Sequence, residues 1–576
     1  MSERLSDLNV VLFDCQATGS NPQCDMLLEV GWARYAATRD PSHAAISAHL
    51  VQPETDAELP RRISRITGIS REQLVSDGVE VKRAANKMKT LMSKVASVNN
   101  GEICPLVIHY ARFESRWLQS MFAGSRSERP YSLLCTHEIA RRLFSDLPRR
   151  GLRAIAGFLG YTTAQMRRSK HHVAATAFIW SKIVPILADQ ERVVTLSELR
   201  EWLAGPKISA GAGRAYPMQA AVRKNIPAAP GIYKMFRSNG DILYVGKATS
   251  LRSRVNSYFT RRGSHGEHIL EMLAQAADIK VETTATILEA ALREHDEIKR
   301  LAPPYNKALR TNEREVYYFT NALTGCRTTS SSQFCVGPLP SPEALLPFEV
   351  LTQTLEHPPG SALVHDLLAS YGRAAPQKGV CAAGVQLFLD EWRDVIAQHQ
   401  ALAALKIIGT LSHQRKLEEA ALAQDSQGES PDAEDLRNDE KKQEFEWTPE
   451  RVEGAITGQL RWGMYLIRRS RWYLMLSNAS VMWESPNCAA LLCLDVRKGQ
   501  YYPIERFESL PGRPRSGLRR AHSSRRRDFD IACYDRMRVL TAELRRIVKS
   551  GRKVYLHVGP QSCLSAECVA QLLQWV

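Results

Sequence analysis

The chain has 576 residues, 44% hydrophobic and 24% charged. At about 150 residues per domain this predicts three or four units, and it excludes both one continuous core and a mostly disordered polypeptide. Its 77 Lys+Arg against 61 Asp+Glu leave a net charge of +16, a surplus suited to a polyanionic partner such as nucleic acid. No run of about 18 apolar residues occurs, and the opening Met1-Ser2-Glu3-Arg4-Leu5 lacks a basic-then-apolar leader pattern; a cytoplasmic protein with no membrane partner is expected. Twelve scattered cysteines without a CxxC pair argue against a disulfide framework and against a zinc ribbon.

Residues 1–187 alternate β-like runs, such as Asn9 to Phe13 and Leu106 to His109, with helical patterns such as Leu152 to Leu159, and read as an α/β domain. Glycine, alanine and proline become frequent afterwards, and 188–220 reads as a linker. In 221–310 the runs Gly231–Phe236 and Ile242–Val245 are joined through Asn239-Gly240, which predicts a tight β-hairpin. Thr286 and Glu289 form a capping-box pattern for a helix to Leu301, ended by Pro303-Pro304. Residues 311–422 are Ser/Pro-rich and then helical, clearest over Val385–Glu419, and 423–446 is an acidic flexible linker. A last α+β domain, 447–576, is expected to begin with strand-like Trp/Tyr/Leu runs. In it Arg461-Trp462, Arg468-Arg469 and Arg471-Trp472-Tyr473 mix cations with aromatics, either as a surface that stacks bases or, the preferred reading, as a twisted sheet with an aromatic core and solvated arginines. An arginine cluster between Arg506 and Arg527 is broken by proline and glycine; Arg525, Arg526 and Arg527 are its candidate phosphate contacts.

Phe13-Asp-Cys-Gln-Ala-Thr-Gly19, Leu27-Leu-Glu-Val-Gly31, His109-Tyr-Ala-Arg-Phe-Glu114 and His171-His-Val-Ala-Ala-Thr-Ala177 resemble, in order, the motifs of the DEDDh 3′→5′ exonucleases, the family of the DNA polymerase III epsilon subunit. That resemblance implies an RNase H-like fold. The family's chemistry needs four carboxylates around two divalent cations. Of the four, Asp14 matches outright, while Gln16 replaces Glu, Glu114 replaces Asp and Thr176 replaces the last Asp. His171 takes the place of the general base. A folded domain without exonuclease activity is therefore expected.

Gly231-Ile-Tyr233, Tyr244-Val-Gly-Lys247, Leu251-Arg-Ser-Arg-Val255, Ser257-Tyr-Phe259, Glu294 and Pro304-Tyr-Asn306 resemble the GIY-YIG endonucleases, most closely the nuclease domain of excinuclease C (UvrC) and its relative Cho. The resemblance implies one Mg²⁺ or Mn²⁺ on Glu294, phosphate stabilisation by Arg254, water activation by Tyr233 or Tyr244 beside Lys247, and supporting roles for Tyr258 and Asn306. Excinuclease C's second nuclease and its helix-hairpin-helix motifs have no counterpart in the sequence, and Cys381 alone cannot hold a cluster.

Together these motifs predict an epsilon-like domain fused to a UvrC-like one in a multidomain α/β and α+β chain. The expected activity is metal-dependent nicking of one DNA strand in excision repair, with a damage-recognition or DNA-loading protein as partner. The alternatives are a DEDDh 3′→5′ exonuclease and a non-catalytic DNA-binding scaffold.

Overall fold

A computed structural model of the chain describes residues 4–54, 58–100, 103–123, 130–162, 166–206, 215–260, 265–306, 314–356, 361–369, 375–426, 446–485, 490–508, 529–558 and 562–576. They form two units: residues 1–287 with 301–307, and residues 288–300 with 308–576.

The first unit opens on β1 (Val10–Ala17), whose side chains alternate between two faces. Val10 and Leu12 join a core built on the helix Ser169–Ile186, while Val11 and Phe13 join one built on the helix Val81–Val98. With β2 (Leu27–Tyr35), β3 (Ser47–Leu50), β4 (Cys104–Ile108) and β5 (Tyr131–Cys135) it makes a sheet of order β3-β2-β1-β4-β5. Pairs β1–β2 and β2–β3 are antiparallel; β1–β4 and β4–β5 are parallel. The linker predicted from Ala188 onward begins later, because Thr195 and Glu198 form a capping box for a helix Leu196–Ala204 that buries Leu196 and Leu199 in the first core. Residues 207–214 of that stretch lie outside the described residues.

A second sheet in the same unit is the antiparallel β7-β6-β8, from β6 (Gly231–Phe236), β7 (Ile242–Ala248) and β8 (Asp278–Thr283). Gly240, at φ +88°, supplies the left-handed residue of the expected hairpin turn. The turn also docks: Asn239 Nδ2 donates to Gly160 O (3.1 Å) and to Thr162 Oγ1 (2.8 Å) of the first sheet's domain. Gly157 lies so close to Gln275 that an added Cβ would stand 1.8 Å from Gln275 Oε1, and Arg149 pairs with Glu267.

In the second unit the segment 288–300, most of the helix Ile287–Leu301, packs Leu288 and Leu292 into a core shared with the helix Ile531–Lys549 and a six-stranded sheet, whose assigned pairs are antiparallel. A separate helical core involves Leu346–Glu356, Lys378–Glu391, Ala401–Ser426 and Pro449–Leu476. Three expectations change here. The helix expected over Val385–Glu419 is divided among Lys378–Glu391, Arg393–Gln398 and Ala401–Ser426. The strand-like runs after Trp447 are one 28-residue helix: Thr448 caps it, Pro449 occupies its first turn, and Val452, Ile456, Leu460, Gly463, Leu466, Ser470 and Tyr473 recur every three or four residues on its buried face. The twisted-sheet reading of its aromatics falls with it. Most of the acidic linker (427–445) and Arg525, Arg526 and Arg527 lie outside the described residues.

Candidate active site

Tyr233, on β6, faces Gly246 across the hairpin. A Cβ at Gly246 would come within 2.4 Å of Tyr233 Oη and 2.7 Å of Tyr244 Cε1, so glycine there is the space that both rings use. The Tyr233 and Tyr244 ring centroids are 6.0 Å apart. Ser250 caps the helix Leu251–Ser257, whose exposed Arg254 donates from Nη2 to Tyr258 Oη (3.3 Å) and lies over that ring. The Tyr258 and Tyr233 hydroxyls share a 2.8 Å hydrogen bond. Burial, and then the neighbouring Tyr258 and Tyr244, push the Tyr233 phenol well above its ordinary range, against a lowering from Arg254. Tyr233 therefore keeps its proton, while Tyr244 is half-buried.

Asn306 has a different place from the other members of the set. Its Oδ1 accepts from Val245 N (2.9 Å) and its Nδ2 donates to Val245 O (2.8 Å), as a neighbouring strand would. That double bond fixes the Tyr244-Val245-Gly246 backbone. Lys247 pairs in register with Ile232 and is half-buried.

Glu294 is half-buried on the helix Ile287–Leu301, within the second unit. Its neighbours anchor the helix to Ile531–Lys549: His295 Nε2 donates to Ala532 O (3.1 Å), Arg536 pairs with Asp296 (2.8 Å) and Lys299 with the buried Asp535 (2.9 Å). Glu289, on the same helix, is taken up by Arg293 (2.7 Å). A lone carboxylate fits an ion that retains most of its water, as Mg²⁺ does.

The exonuclease-like site is arranged otherwise. Asp14 Oδ1 lies 3.0 Å from Nδ1 of His172, and Asp14 Oδ2 accepts from Gln16 Nε2 (3.1 Å). His172 Nε2 faces Met166 O (3.3 Å), and its Nδ1 meets both Asp14 Oδ1 and the Gln16 amide nitrogen (3.2 Å). Burial lowers the His172 pKa, but Asp14 outweighs it and the net shift is upward. The histidine on Asp14 is thus His172, not the His171 picked out by the motif; His171 is half-buried with its Nδ1 unpartnered among the described residues. Burial, then Asp14, raise the Glu114 carboxyl well above the carboxylate range. The Thr176 hydroxyl donates to His172 O (2.9 Å). With Asp14 taken up by His172 and Gln16, the Glu114 carboxyl pushed up by burial, and Gln16 and Thr176 uncharged, these positions do not fit a pair of divalent cations.

Residues 229–307 match the UvrC-like GIY-YIG domain family and residues 11–175 the RNase_T exonuclease family. UvrABC system protein C of a Psychrobacter species is 46% identical over 99 residues, 17% of this chain and 16% of that protein; the chain thus spans less than a fifth of its curated relative's length. Among solved structures, the magnesium-bound GIY-YIG N-terminal endonuclease domain of UvrC from Thermotoga maritima is 29% identical, covering 16% of this chain and 99% of that one with a TM-score of 0.14. The RNase domain of yeast Pop2 is 11% identical, covering 32% and 79%, with a TM-score of 0.26. An exonuclease-type domain and a UvrC-like GIY-YIG domain are joined in this one chain.

Proposed function

We propose that the chain is a divalent-metal-dependent DNA endonuclease that nicks one strand by phosphodiester hydrolysis at the GIY-YIG site, in excision repair. The observation that carries this reading is the linked set of Tyr233, Tyr258 and Arg254, with Tyr233 and Tyr244 closing on a Gly246 that admits no side chain. Glu294 would hold Mg²⁺ or Mn²⁺, which supplies charge stabilisation at the phosphate and lowers the pKa of water. Arg254, exposed and oriented by Tyr258, gives a planar donor fork to the phosphate as negative charge grows. Tyr233 keeps its proton and orients, and Tyr244, as its phenolate, would take the water's proton. Asn306 holds the strand that carries Tyr244 and is a positioning residue. DNA and a damage-recognition or loading protein are the partners this reading needs.

The test is nicking of covalently closed plasmid, damaged and undamaged, with Mg²⁺. Wild type converts circles to nicked circles, and Glu294→Gln loses this by 100-fold or more, on the order of the effect of losing one transition-state contact. Nicking that survives in purified Glu294→Gln overturns the assignment. A 3′-labelled single strand stays full length with wild type, because the exonuclease-like site does not fit its cations.

A further inference from the structure

The helix Pro449–Leu476 lies along Ala401–Ser426, and the two leave a face that nuclease chemistry does not use. Trp462, 51% exposed, stacks on Tyr465 with centroids 5.1 Å apart and planes 21° from parallel. The indole presents a flat apolar platform to solvent, while the Tyr465 ring it stacks on is partly buried against the helical core. Beside it is a groove of about 470 Å³ lined by His413, Lys416, Arg461 and these two rings. A second groove, of about 590 Å³, is lined by Arg468, Arg471, Trp472, Leu572 and Trp575. Among the described residues no Asp or Glu side chain lines either groove.

His413, Arg468 and Trp575 join the two. The His413 and Trp575 rings are 5.1 Å apart, and the Arg468 guanidinium lies 4.8 Å from the Trp575 centroid. Arg468 Nη2 donates to Thr410 Oγ1 (2.8 Å), but Arg468 Nη1 and His413 Nε2 are buried without a hydrogen-bond partner among the described residues. Unmet polar groups of this kind call for a partner that the described residues do not supply. Burial first, and then the neighbouring Arg468, Arg461 and Lys416, hold the His413 pKa down. Along Pro449–Leu476 the face runs from Gly458 to Met475, about 25 Å of helix at 1.5 Å per residue.

We propose that this face is a binding track for single-stranded nucleic acid, with bases stacked on Trp462 and Tyr465 and phosphates held by Lys416, Arg461, Arg468 and Arg471. Stacking platforms interleaved with cations bind single strands with little regard to sequence, because every base has a π-face. Charge complementarity selects this occupant over an apolar helix, which would leave the four cations without counter-charges.

The test uses the full chain without divalent cation, so that nothing is cleaved, and follows the anisotropy of a labelled oligothymidylate across a salt series. Trp462→Ala with Tyr465→Ala weakens binding about 30-fold, roughly one lost base stack per ring, and Trp462→Phe with Tyr465→Phe keeps most of the affinity. Lys416→Ala with Arg471→Ala flattens the slope of log affinity against log salt by about 1.4, near 0.7 per phosphate on a single strand. Wild-type affinity in the alanine pair, or an equal loss on blunt duplex whose bases cannot stack on protein, overturns the proposal. An unchanged salt slope in the cation pair does the same, and that variant leaves the aromatic platform and its packing intact. Displacement of a peptide rather than of oligothymidylate from this face would assign it to a protein partner and likewise overturn it.

Discussion

Gly246 and Tyr233 illustrate how narrowly the residue scale fixes this site. Alanine at 246 places a methyl 2.4 Å from a buried hydroxyl already bonded to Tyr258, so the ring has nowhere to turn. Overpacking of this kind costs about 1–3 kcal/mol, and a shift of about 1 Å in a catalytic group costs about 100-fold in rate. Gly246→Ala is expected to remain folded and to nick plasmid about 100-fold more slowly, measured by nicking alongside thermal unfolding. His109 gives a pH prediction. It is buried, its Nε2 donates to Arg150 O (3.1 Å), and burial, then His137, lower its pKa from 6.5 to about 3. The folded pKa lies below the unfolded one, so stability is complete above about pH 6.5 and falls as acid protonates the unfolded chain first, by about 2 kcal/mol at pH 5. Denaturant unfolding at pH 7 and pH 5 checks this: wild type loses stability between them and His109→Gln lacks that part of the loss. The tyrosines, Arg254 and Asn306 were legible in the sequence because a hairpin and one helix turn fix their spacing locally. His172 was not. It stands 100° around the helix from His171, and only the docking of Ser169–Ile186 on β1 decides which of the two meets Asp14.

At the scale of elements, the helix Ile287–Leu301 was legible in the sequence and its support was not. Asp535, fully buried, receives Lys299 (2.9 Å), Arg314 (3.0 Å) and Arg538 (3.4 Å), partners drawn from three segments hundreds of residues apart in part. No local pattern marks such a residue, because an aspartate in a helix usually faces solvent. Asp535→Asn removes the charge of the buried carboxylate shared by the buried Lys299 and the more exposed Arg314 and Arg538, and breaking a buried pair in this way costs about 3 kcal/mol or more. The expectation is a second unit destabilised by that amount in denaturant unfolding, with nicking reduced because Glu294 shares the helix. The helix Pro449–Leu476 went unread for another reason. Its Trp, Tyr and Leu carry β-propensity one by one, whereas the three-or-four-residue spacing of its buried positions decides the outcome only when summed over the whole segment.

At the scale of the molecule, the exonuclease-like domain carries Gln16 and Thr176 where carboxylates would hold cations, yet within the first unit it is built into the support of the GIY-YIG hairpin. Gly157 makes room for Gln275, which is itself held on every side: Oε1 accepts from Arg237 Nε (3.0 Å), while Nε2 donates to Glu271 O (2.9 Å) and to Tyr305 Oη (2.5 Å). Tyr305 adjoins Asn306, and Asn306 clamps Val245 between Tyr244 and Gly246. A side chain at 157 therefore pushes on a chain of contacts that ends at the candidate catalytic strand. Gly157→Ala is expected to lower the unfolding temperature of the first unit and to slow nicking about 10-fold, although Gly157 belongs to no motif of either nuclease family. Gln16→Ala, in the same domain but off this chain, is expected to nick at the wild-type rate. Equal nicking by Gly157→Ala and wild type would mean that the two domains share a unit without sharing the work, and plasmid nicking with both variants side by side decides between these outcomes.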